Sequence, residues 1–379
     1  MDFKQDENHQ QLIEMYREFA ENEVKPLAKE VDEKMLFPEE NVAKMAEMGL
    51  LGIPFPEEYG GAGMDTLSYI QCVEELSKCC ATTGVIVSAH TSLCATPIYT
   101  FGTDAQKEKY LKPLASGEKL GAFGLTEPSA GTDASMQKTT AVLEGDHYVL
   151  NGSKIFITNA GYADIYIVLA MTDKTKGTKG ITAFIVEKGY EGFSVGSHEL
   201  KMGIRGSSTC ELFFDNCKVP KENLLGEEGK GFNIAMATLD GGRVGIAAQA
   251  LGIAEGAIEE TVKYVKERVQ FGRPIAKFQN TQFELAQMKA NTEAAKLLVY
   301  QAACAKDDHQ RFTHLAAMAK LFAARNATDV TSRCLQLFGG YGYTSDYPIE
   351  RMMRDAKITE IYEGTSEVQM MVISGWMMR

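Results

Sequence analysis

The residue whose surroundings best suit chemistry is a single carboxylate near the C-terminus, Glu363. It follows Ile361 and Tyr362 and precedes Gly364, and a glycine lets another group approach the backbone closely. A glutamate in a partly apolar pocket has a pKa raised toward neutral pH, which suits it to remove a proton. The same spacing also fits a solvated glutamate in a turn between two helices, so these residues alone leave both interpretations open.

The composition argues against metal and nucleic-acid chemistry. The eight cysteines have no Cys-x-x-Cys spacing and the six histidines have no paired ligand spacing, so we predict a metal-free protein with reduced thiols. A net charge of -12 without a basic stripe predicts no nucleic-acid partner. No apolar run reaches the length of a membrane span, and the N-terminus lacks a secretory pattern, so we expect a cytoplasmic protein.

The hydrophobic periodicity divides the chain into three predicted domains, 1–118, 119–228 and 229–379. The first and last have helical spacing, whereas the middle one is rich in β-branched and aromatic runs. This order indicates an α+β multi-domain fold and argues against a Rossmann fold, in which strands and helices alternate. Within the middle domain, Asn151-Gly152 predicts a two-residue hairpin. Long helices are predicted over about 232–270, 279–307 and 312–338.

Six segments in order along the chain resemble the conserved motifs of the acyl-CoA dehydrogenases. The overall pattern is most similar to short-chain, butyryl-CoA-type bacterial members of that family. Because the segments occur in the family's order over the whole chain, chance is a poor explanation. The segments are 123–133 (FGLTEPSAGTD), 151–159 (NGSKIFITN), 239–243 (LDGGR), 268–275 (RVQFGRPI), 336–343 (QLFGGYGY) and 361–365 (IYEGT).

This resemblance implies a fold, a cofactor and a reaction. The fold would be a helical N-terminal domain, a β-barrel-like middle domain and a C-terminal four-helix bundle, assembled as a homotetramer that is a dimer of dimers. Glu363 would take the α-proton of a short-chain acyl-CoA while N5 of FAD takes the β-hydride. The electrons would be exchanged with an electron-transferring flavoprotein.

The resemblance also assigns site residues. Substrate contacts are implied for Thr132, Asp240, Arg243 and Gly364. Many relatives carry tryptophan where Phe156 stands, and a phenylalanine there still stacks but loses the indole N–H. The residues implied to bind FAD, with Arg268 and Gln279 reaching the FAD of a neighbouring subunit, are Phe123, Leu125, Thr126, Thr132, Phe156, Ile157, Thr158, Arg268, Phe271, Gln279, Gln336, Leu337, Gly339, Gly340, Thr365 and Glu367.

Several alternatives stay open at the level of sequence. The acyl chain could be medium or branched, although some branched-chain and long-chain relatives place the base at the position of Gly242, which here has no side chain. The reverse reduction of crotonyl-CoA, in an electron-bifurcating complex, is a second alternative. An acyl-CoA oxidase is a third, but this chain is shorter, and we expect it to lack the extra C-terminal domain of those relatives. A non-catalytic flavin-bearing subunit is a fourth, and the presence of Glu363 counts against it.

Overall fold

The computed structural model describes residues 6–378, which form a helical segment, a β segment and a second helical segment in chain order. This order confirms the predicted fold class. The first helices are α1 (Glu7–Phe19), α2 (Ala28–Glu33), α3 (Glu39–Glu47), α4 (Thr66–Cys79), α5 (Ala81–Ser88), α6 (Thr96–Phe101), α7 (Asp104–Gln106) and α8 (Lys112–Ala115). The strands are β1 (Gly121–Gly124), β2 (Thr140–Glu144), β3 (His147–Thr158), β4 (Ile165–Met171), β5 (Ile181–Glu187), β6 (Phe193–His198), β7 (Thr209–Pro220) and β8 (Leu224–Leu225), with a short pair β9 (Val269–Gln270) and β10 (Arg273–Pro274) farther along. The last helices are α9 (Gly231–Glu267), α10 (Gln279–Asp307), α11 (Thr313–Phe338), α12 (Ile349–Ile358) and α13 (Ser366–Met377).

The β segment is one curved sheet in the order β6-β7-β3-β2-β4-β5-β8, with β1 parallel to β4. Because successive residues of a strand point to opposite faces, β4 buries Ile167 against the N-terminal helices and Tyr166 inside the sheet. Tyr148 on β3 and Phe184 on β5 have ring centroids 4.9 Å apart, although their strands are not neighbours in the sheet. The sheet therefore curls around its own core, as the barrel-like prediction required.

The predicted hairpin at Asn151-Gly152 is wrong. Strand β3 runs through this pair without a turn, and its register against β7 shifts there as a bulge. The two-residue turn is instead Gly145-Asp146, because Glu144 pairs with His147. Gly152 has φ +142°, and a Cβ added to it would lie 2.7 Å from Thr139 Cα. Glycine serves close approach at a bulge here, which the dipeptide alone does not distinguish from a turn.

The C-terminal segment packs α9 against α4 at very short range. A Cβ added to Gly252 would lie 2.2 Å from the carbonyl oxygen of Glu74, and one added to Gly256 would lie 2.3 Å from that of Lys78. Asp307, the last residue of α10, accepts hydrogen bonds from the first backbone amides of α4, at 2.8 and 3.2 Å. The long helices of the C-terminal segment thus fix α4 from two directions.

Helix α12 joins all three segments. The guanidinium of Arg354 donates to Asp32 on α2 at 2.6 Å and to the carbonyl oxygen of Met202, between β6 and β7, at 3.1 Å. The neighbouring Asp355 accepts from the backbone amide of Ile204 at 2.5 Å. We call these contacts the three-way junction. Within residues 6–378, no helix combines the length and apolar character needed to cross a bilayer.

Candidate active site

Glu363 lies in the short connection between α12 and α13. Both Glu363 and Gly364 have left-handed backbone conformations, with φ of +53° and +94°. Such a conformation is uncommon for a residue with a side chain and persists only when surrounding contacts hold it. Thr365 then caps α13, since its hydroxyl accepts from the backbone amide of Val368 at 3.3 Å.

The carboxylate of Glu363 is turned into the molecule against α9. Its Oε2 atom is buried and has no hydrogen-bond partner within the described residues. A Cβ added to Gly242 would lie 2.1 Å from this oxygen and 2.8 Å from Leu93 Cδ2. Gly242 therefore provides the space that the carboxylate occupies, and a buried polar atom without a partner marks a place where a ligand can interact.

The electrostatics of this carboxylate fit a base. Burial raises the pKa of Glu363 to about 7, against the opposing effect of the positive charges of Lys320 and Arg243. Arg243 is itself buried and donates to Asp240 at 2.7 Å, and the other oxygen of Asp240 accepts from Thr313 at 2.7 Å. The chain thus places predicted substrate contacts Asp240 and Arg243 beside the predicted base.

The backbone amide of Glu363 is an open donor. The Glu363 N–H makes no hydrogen bond with any residue of 6–378, whereas the carbonyl oxygen of Gly364 accepts from Lys320 Nζ at 2.7 Å and from Gln369 Nε2 at 2.8 Å. The hydroxyl of the preceding residue, Tyr362, donates to Gln249 on α9. The loop is fixed on both sides of an amide that remains free to donate.

The segment predicted to meet the flavin ring begins at the end of β1. Phe123 lies on β1, Leu125 and Thr126 follow it, and the Thr126 carbonyl accepts from the Ile155 amide at 2.9 Å. This contact brings the first flavin segment beside β3, which carries Phe156, Ile157 and Thr158. The structure thus places the two predicted flavin segments side by side.

A buried ion pair braces these two segments. Lys154 is fully buried, and its ammonium donates to Glu127 at 2.8 Å, to the Leu125 carbonyl at 3.1 Å and to Gln137 at 3.1 Å. Burial lowers the pKa of Lys154 to about 8, against the effect of Glu127. Sequence reasoning passed over this pair although both residues lie in the quoted motifs.

Phe156 on β3 combines an exposed aromatic ring with an unfavourable backbone conformation. Its side chain is 60% exposed and its φ is +61°, an unfavourable conformation for an aromatic residue. An exposed ring beside the backbone groups of β1 and the 125–132 loop suits the planar ring system of a flavin. Thr132 is exposed on the same loop.

A second cluster of predicted cofactor residues lies at the far end of the helical bundle. Arg268 directly follows the last residue of α9, Phe271 lies three residues farther on, and Gln279 begins α10. The guanidinium of Arg268 lies 5.3 Å from the ring centroid of Tyr341, which joins this group to the 336–340 segment at the end of α11.

The two clusters are not brought together within one chain. Arg268 lies 26 residues after Gly242, which at the rise of an α-helix is about 39 Å along α9. Phe271 is 93% exposed. Within one chain, Arg268 and the residues around it therefore lie apart from Glu363.

The second cluster suits an anion. A Cβ added to Gly339 or Gly340 would meet nothing within 4 Å, and Gly339 has φ +62°. Exposed glycine backbone beside an arginine is a fitting cradle for a diphosphate. The residues at both clusters therefore fit FAD, with a ring end and a phosphate end contributed by separate places on the surface.

Sequence reasoning missed Lys320 and gave Gly242 no role beyond the absence of a base. Lys320 is one lysine within the apolar run Ala316-Ala317-Met318-Ala319 and Leu321-Phe322, and a charged residue inside such a run was the available signal. A cavity of about 250 Å³ between α2, α9 and the start of α12 is separate from Glu363 and is lined by charged residues that include Lys25, Asp32 and Arg351.

Comparison with known proteins places the chain in a family. Family models match residues 6–118 as an acyl-CoA dehydrogenase N-terminal domain, 122–217 as the middle domain and 229–378 as the C-terminal domain. The chain belongs to the acyl-CoA dehydrogenase family, as its motifs predicted. It is therefore an oxidoreductase that acts on CH–CH donors.

Individual relatives cover the entire chain. A short-chain specific acyl-CoA dehydrogenase from Clostridium acetobutylicum is 64% identical over 379 residues, which is 100% of both proteins. The solved butyryl-CoA dehydrogenase of Megasphaera elsdenii is 56% identical, with a TM-score of 0.99 and 100% of both chains covered. A chain solved in work on the electron transferring flavoprotein of Acidaminococcus fermentans and flavin-based electron bifurcation is 59% identical, again with a TM-score of 0.99 over 100% of both chains.

Proposed function

We propose that this chain catalyses α,β-dehydrogenation of a short-chain acyl-CoA, with Glu363 as the base. The observation that carries the proposal is the buried, unpartnered Oε2 of Glu363, held in the space left by Gly242. Its pKa of about 7 lets the carboxylate be ionised at working pH and still accept a proton from carbon.

The groups at and around Glu363 have different roles in the proposed reaction. The carboxylate removes the α-proton, and the open Glu363 N–H donates to the thioester carbonyl oxygen, on which negative charge develops as the proton leaves. Arg243, held by Asp240, keeps positive charge beside the site. Deprotonated Glu363 is the active form, so the rate rises with pH through about 7, where protonated Glu363 becomes ionised.

FAD is the cofactor of this family, and when bound it accepts the β-hydride that no side chain can take. We assign its ring end to Phe123, Leu125, Thr126, Thr132 and the 156–158 segment. We assign its phosphate and adenine end to the second cluster of a neighbouring subunit, and Thr365 and Glu367 to the contacts beside the base. Thr132 and Gly364 are also assigned to the substrate. Apart from Glu363, Asp240 and Arg243, these assignments rest on the resemblance and on which surfaces are exposed.

The substrate class and the partners follow from the relatives. Full-length similarity to short-chain and butyryl-CoA dehydrogenases supports butyryl-CoA and crotonyl-CoA as the reacting pair, in either direction, over medium or branched chains. Similarity to the chain studied with an electron transferring flavoprotein supports such a flavoprotein as the electron partner. We further propose a homotetramer, a cytoplasmic location and domain bounds of 1–118, 119–228 and 229–379.

Anaerobic titration of the FAD-loaded protein tests the reaction and its chain-length preference. Butyryl-CoA, octanoyl-CoA and isovaleryl-CoA are added separately, and the loss of oxidised flavin absorbance is followed. We expect butyryl-CoA to bleach the flavin fastest. Absence of bleaching by all three thioesters would overturn the proposed function.

The variant Glu363→Gln tests the base. Glutamine keeps the size of the side chain but cannot accept the proton, so we expect FAD to be retained and flavin bleaching to slow by several orders of magnitude. The matched control is Glu360→Gln, three residues earlier, whose carboxylate bonds to Thr328 and Lys357. This control should react at nearly the wild-type rate. Rapid bleaching in Glu363→Gln would move the base elsewhere.

A further inference from the structure

Lys320 on α11 is an unusual lysine, because it is fully buried and bonded to a backbone carbonyl. Its Nζ donates to the carbonyl oxygen of Gly364 at 2.7 Å, and the residue has 0% exposed surface. Burial lowers its pKa to about 8, against the effect of the Glu363 carboxylate. A buried ammonium is costly, so its presence here calls for a role.

The carbonyl that Lys320 binds belongs to the loop that carries the base. Glu363 and Gly364 are consecutive residues with positive φ. Without contacts from the rest of the protein, a glutamate would rarely adopt this conformation. Gln369 on α13 donates to the same carbonyl at 2.8 Å. The Gly364 carbonyl therefore accepts hydrogen bonds from α11 and from α13. These two bonds fix the orientation of the preceding residue, Glu363.

Lys320 also acts through space on the carboxylate. Its positive charge favours ionised Glu363, as does that of Arg243, and both oppose the effect of burial. The charged and titratable groups that face Glu363 or Lys320 are Tyr69 on α4, Arg243 on α9, Glu360 and Tyr362 on the loop, and Glu367 on α13. Among these groups Arg243 is a second cation, so Lys320 supplies only part of the stabilisation.

We propose that Lys320 is a positioning residue for the base, holding the Gly364 carbonyl so that the Glu363 carboxylate and amide stay aimed at the substrate. The inference rests on the proposed role of Glu363. It also explains why a lysine, and not an apolar residue, occupies a fully buried place on α11: an apolar side chain would fill the space but leave the carbonyl with one donor and the carboxylate with one cation fewer.

The test is Lys320→Met, which keeps an unbranched side chain of nearly the same length and loses both the donor and the charge. The rate of anaerobic flavin bleaching by butyryl-CoA is measured over a pH range that brackets the pKa of Glu363, together with the FAD content. We expect the midpoint of the profile to move upward by about one pH unit and the limiting rate to fall by about tenfold to a hundredfold. FAD content should match the wild type.

Two further variants separate positioning from a general loss of stability. Lys357→Met removes a half-exposed positive charge that pairs with Glu360, six residues before the base, and should leave the midpoint and rate unchanged. Lys320→Arg keeps the charge and should keep the midpoint close to that of the wild type. An unchanged midpoint and rate in Lys320→Met would overturn the inference, as would a lowered thermal midpoint with an unmoved pH profile.

If Lys320→Met does not fold, Lys320→Gln replaces it, because glutamine removes the charge and its side chain is one atom too short to reach the Gly364 carbonyl as lysine does. An upward midpoint or a slower limiting rate supports the inference, and a wild-type midpoint and rate together overturn it. The outcome for the proposed function is separate: wild-type protein that no thioester bleaches contradicts the dehydrogenase reaction, whereas bleached wild type with unaltered Lys320 variants contradicts only the role of Lys320.

Discussion

At the scale of single residues, the site depends on an absent side chain as much as on a present one. The carboxylate of Glu363 sits where a Cβ of residue 242 would lie, so Gly242 and Glu363 share one volume. The next residue toward the N-terminus of α9, Gly241, has different surroundings, since a Cβ there would meet only Lys306 Nζ at 3.7 Å, an ordinary contact. Two adjacent glycines of one helix thus have unequal roles.

The variant Gly242→Ala should displace the carboxylate of Glu363. We expect the bleaching rate to fall on the order of a hundredfold, because the displaced Glu363 carboxylate is no longer oriented toward the α-proton. FAD content should be unchanged. Gly241→Ala is the matched control: it should keep the wild-type rate and add up to about 1 kcal/mol of stability, since alanine is the better helix former. Stopped-flow measurement of flavin bleaching compares the two variants, and equal rates would refute the shared volume.

The sequence was informative about some of these residues and silent about others. Glu363 could be found because its apolar neighbours and following glycine are adjacent to it in the chain. Gly242 was noted only as a position without a carboxylate, since nothing local reveals which side chain will fill the room it leaves. Lys320 lies 44 residues from Gly364, and a contact over that separation leaves no mark on the pattern around either residue.

At the scale of elements, helices α4 and α9 approach each other through glycine. The added Cβ atoms at Gly252 and Gly256 would overlap backbone carbonyls of α4, and backbone cannot swing aside as a long side chain can. This close packing matters to the site, because α9 carries Gly242 and Arg243 and α4 supports the N-terminal helices behind them.

The variant Gly252→Ala should weaken the molecule without touching the reacting groups. Its methyl group would meet the Glu74 carbonyl, so we expect a loss of about 1–3 kcal/mol from overpacking. Gly241→Ala on the same helix is the control and should show no such loss. Denaturant unfolding of the FAD-loaded proteins, at one protein concentration, measures the difference in the free energy of unfolding. Equal values would show that α4 and α9 can move apart enough to accept the methyl group without cost.

Elements were more predictable than their contacts. The helical period located α9, α10 and α11 to within a few residues of their observed ends, because each has a long amphipathic or buried pattern. The Asn151-Gly152 error arose because a bulge and a tight turn both need a residue that tolerates positive φ. Which strand lies opposite is decided by the whole sheet, so the local sequence was not sufficient.

At the scale of the molecule, the residues that we assign to the cofactor lie in two separate parts of one chain. The base lies against Gly242 on α9, and Arg268, just past the end of the same helix, is about 39 Å away. The proposed oligomer resolves this separation, because the Arg268 cluster of one subunit can serve the ring and base of the next. The exposed side chain of Phe271 is explained in the same way.

Mixed oligomers test this arrangement. Arg268→Ala alone should lose FAD, and Glu363→Gln alone should keep FAD without bleaching. Within the proposed tetramer, a dimer that pairs the two variants would contain one site with an intact Glu363 and an intact Arg268, so we expect about half of the wild-type activity per mixed dimer. Co-expression with two affinity tags isolates the mixed species, and an inactive mixed dimer would show that each Arg268 serves its own subunit.

The three-way junction has a consequence for how ligands reach the site. Arg354 donates to Asp32 and to the Met202 carbonyl at the same time, and Asp355 accepts from the Ile204 amide. A movement of one segment away from the other two would therefore break several charge-assisted hydrogen bonds together. We therefore expect the three segments to stay together during turnover. The long thioester would then enter and leave by movement of loops and side chains, while the positions of the catalytic residues stay unchanged.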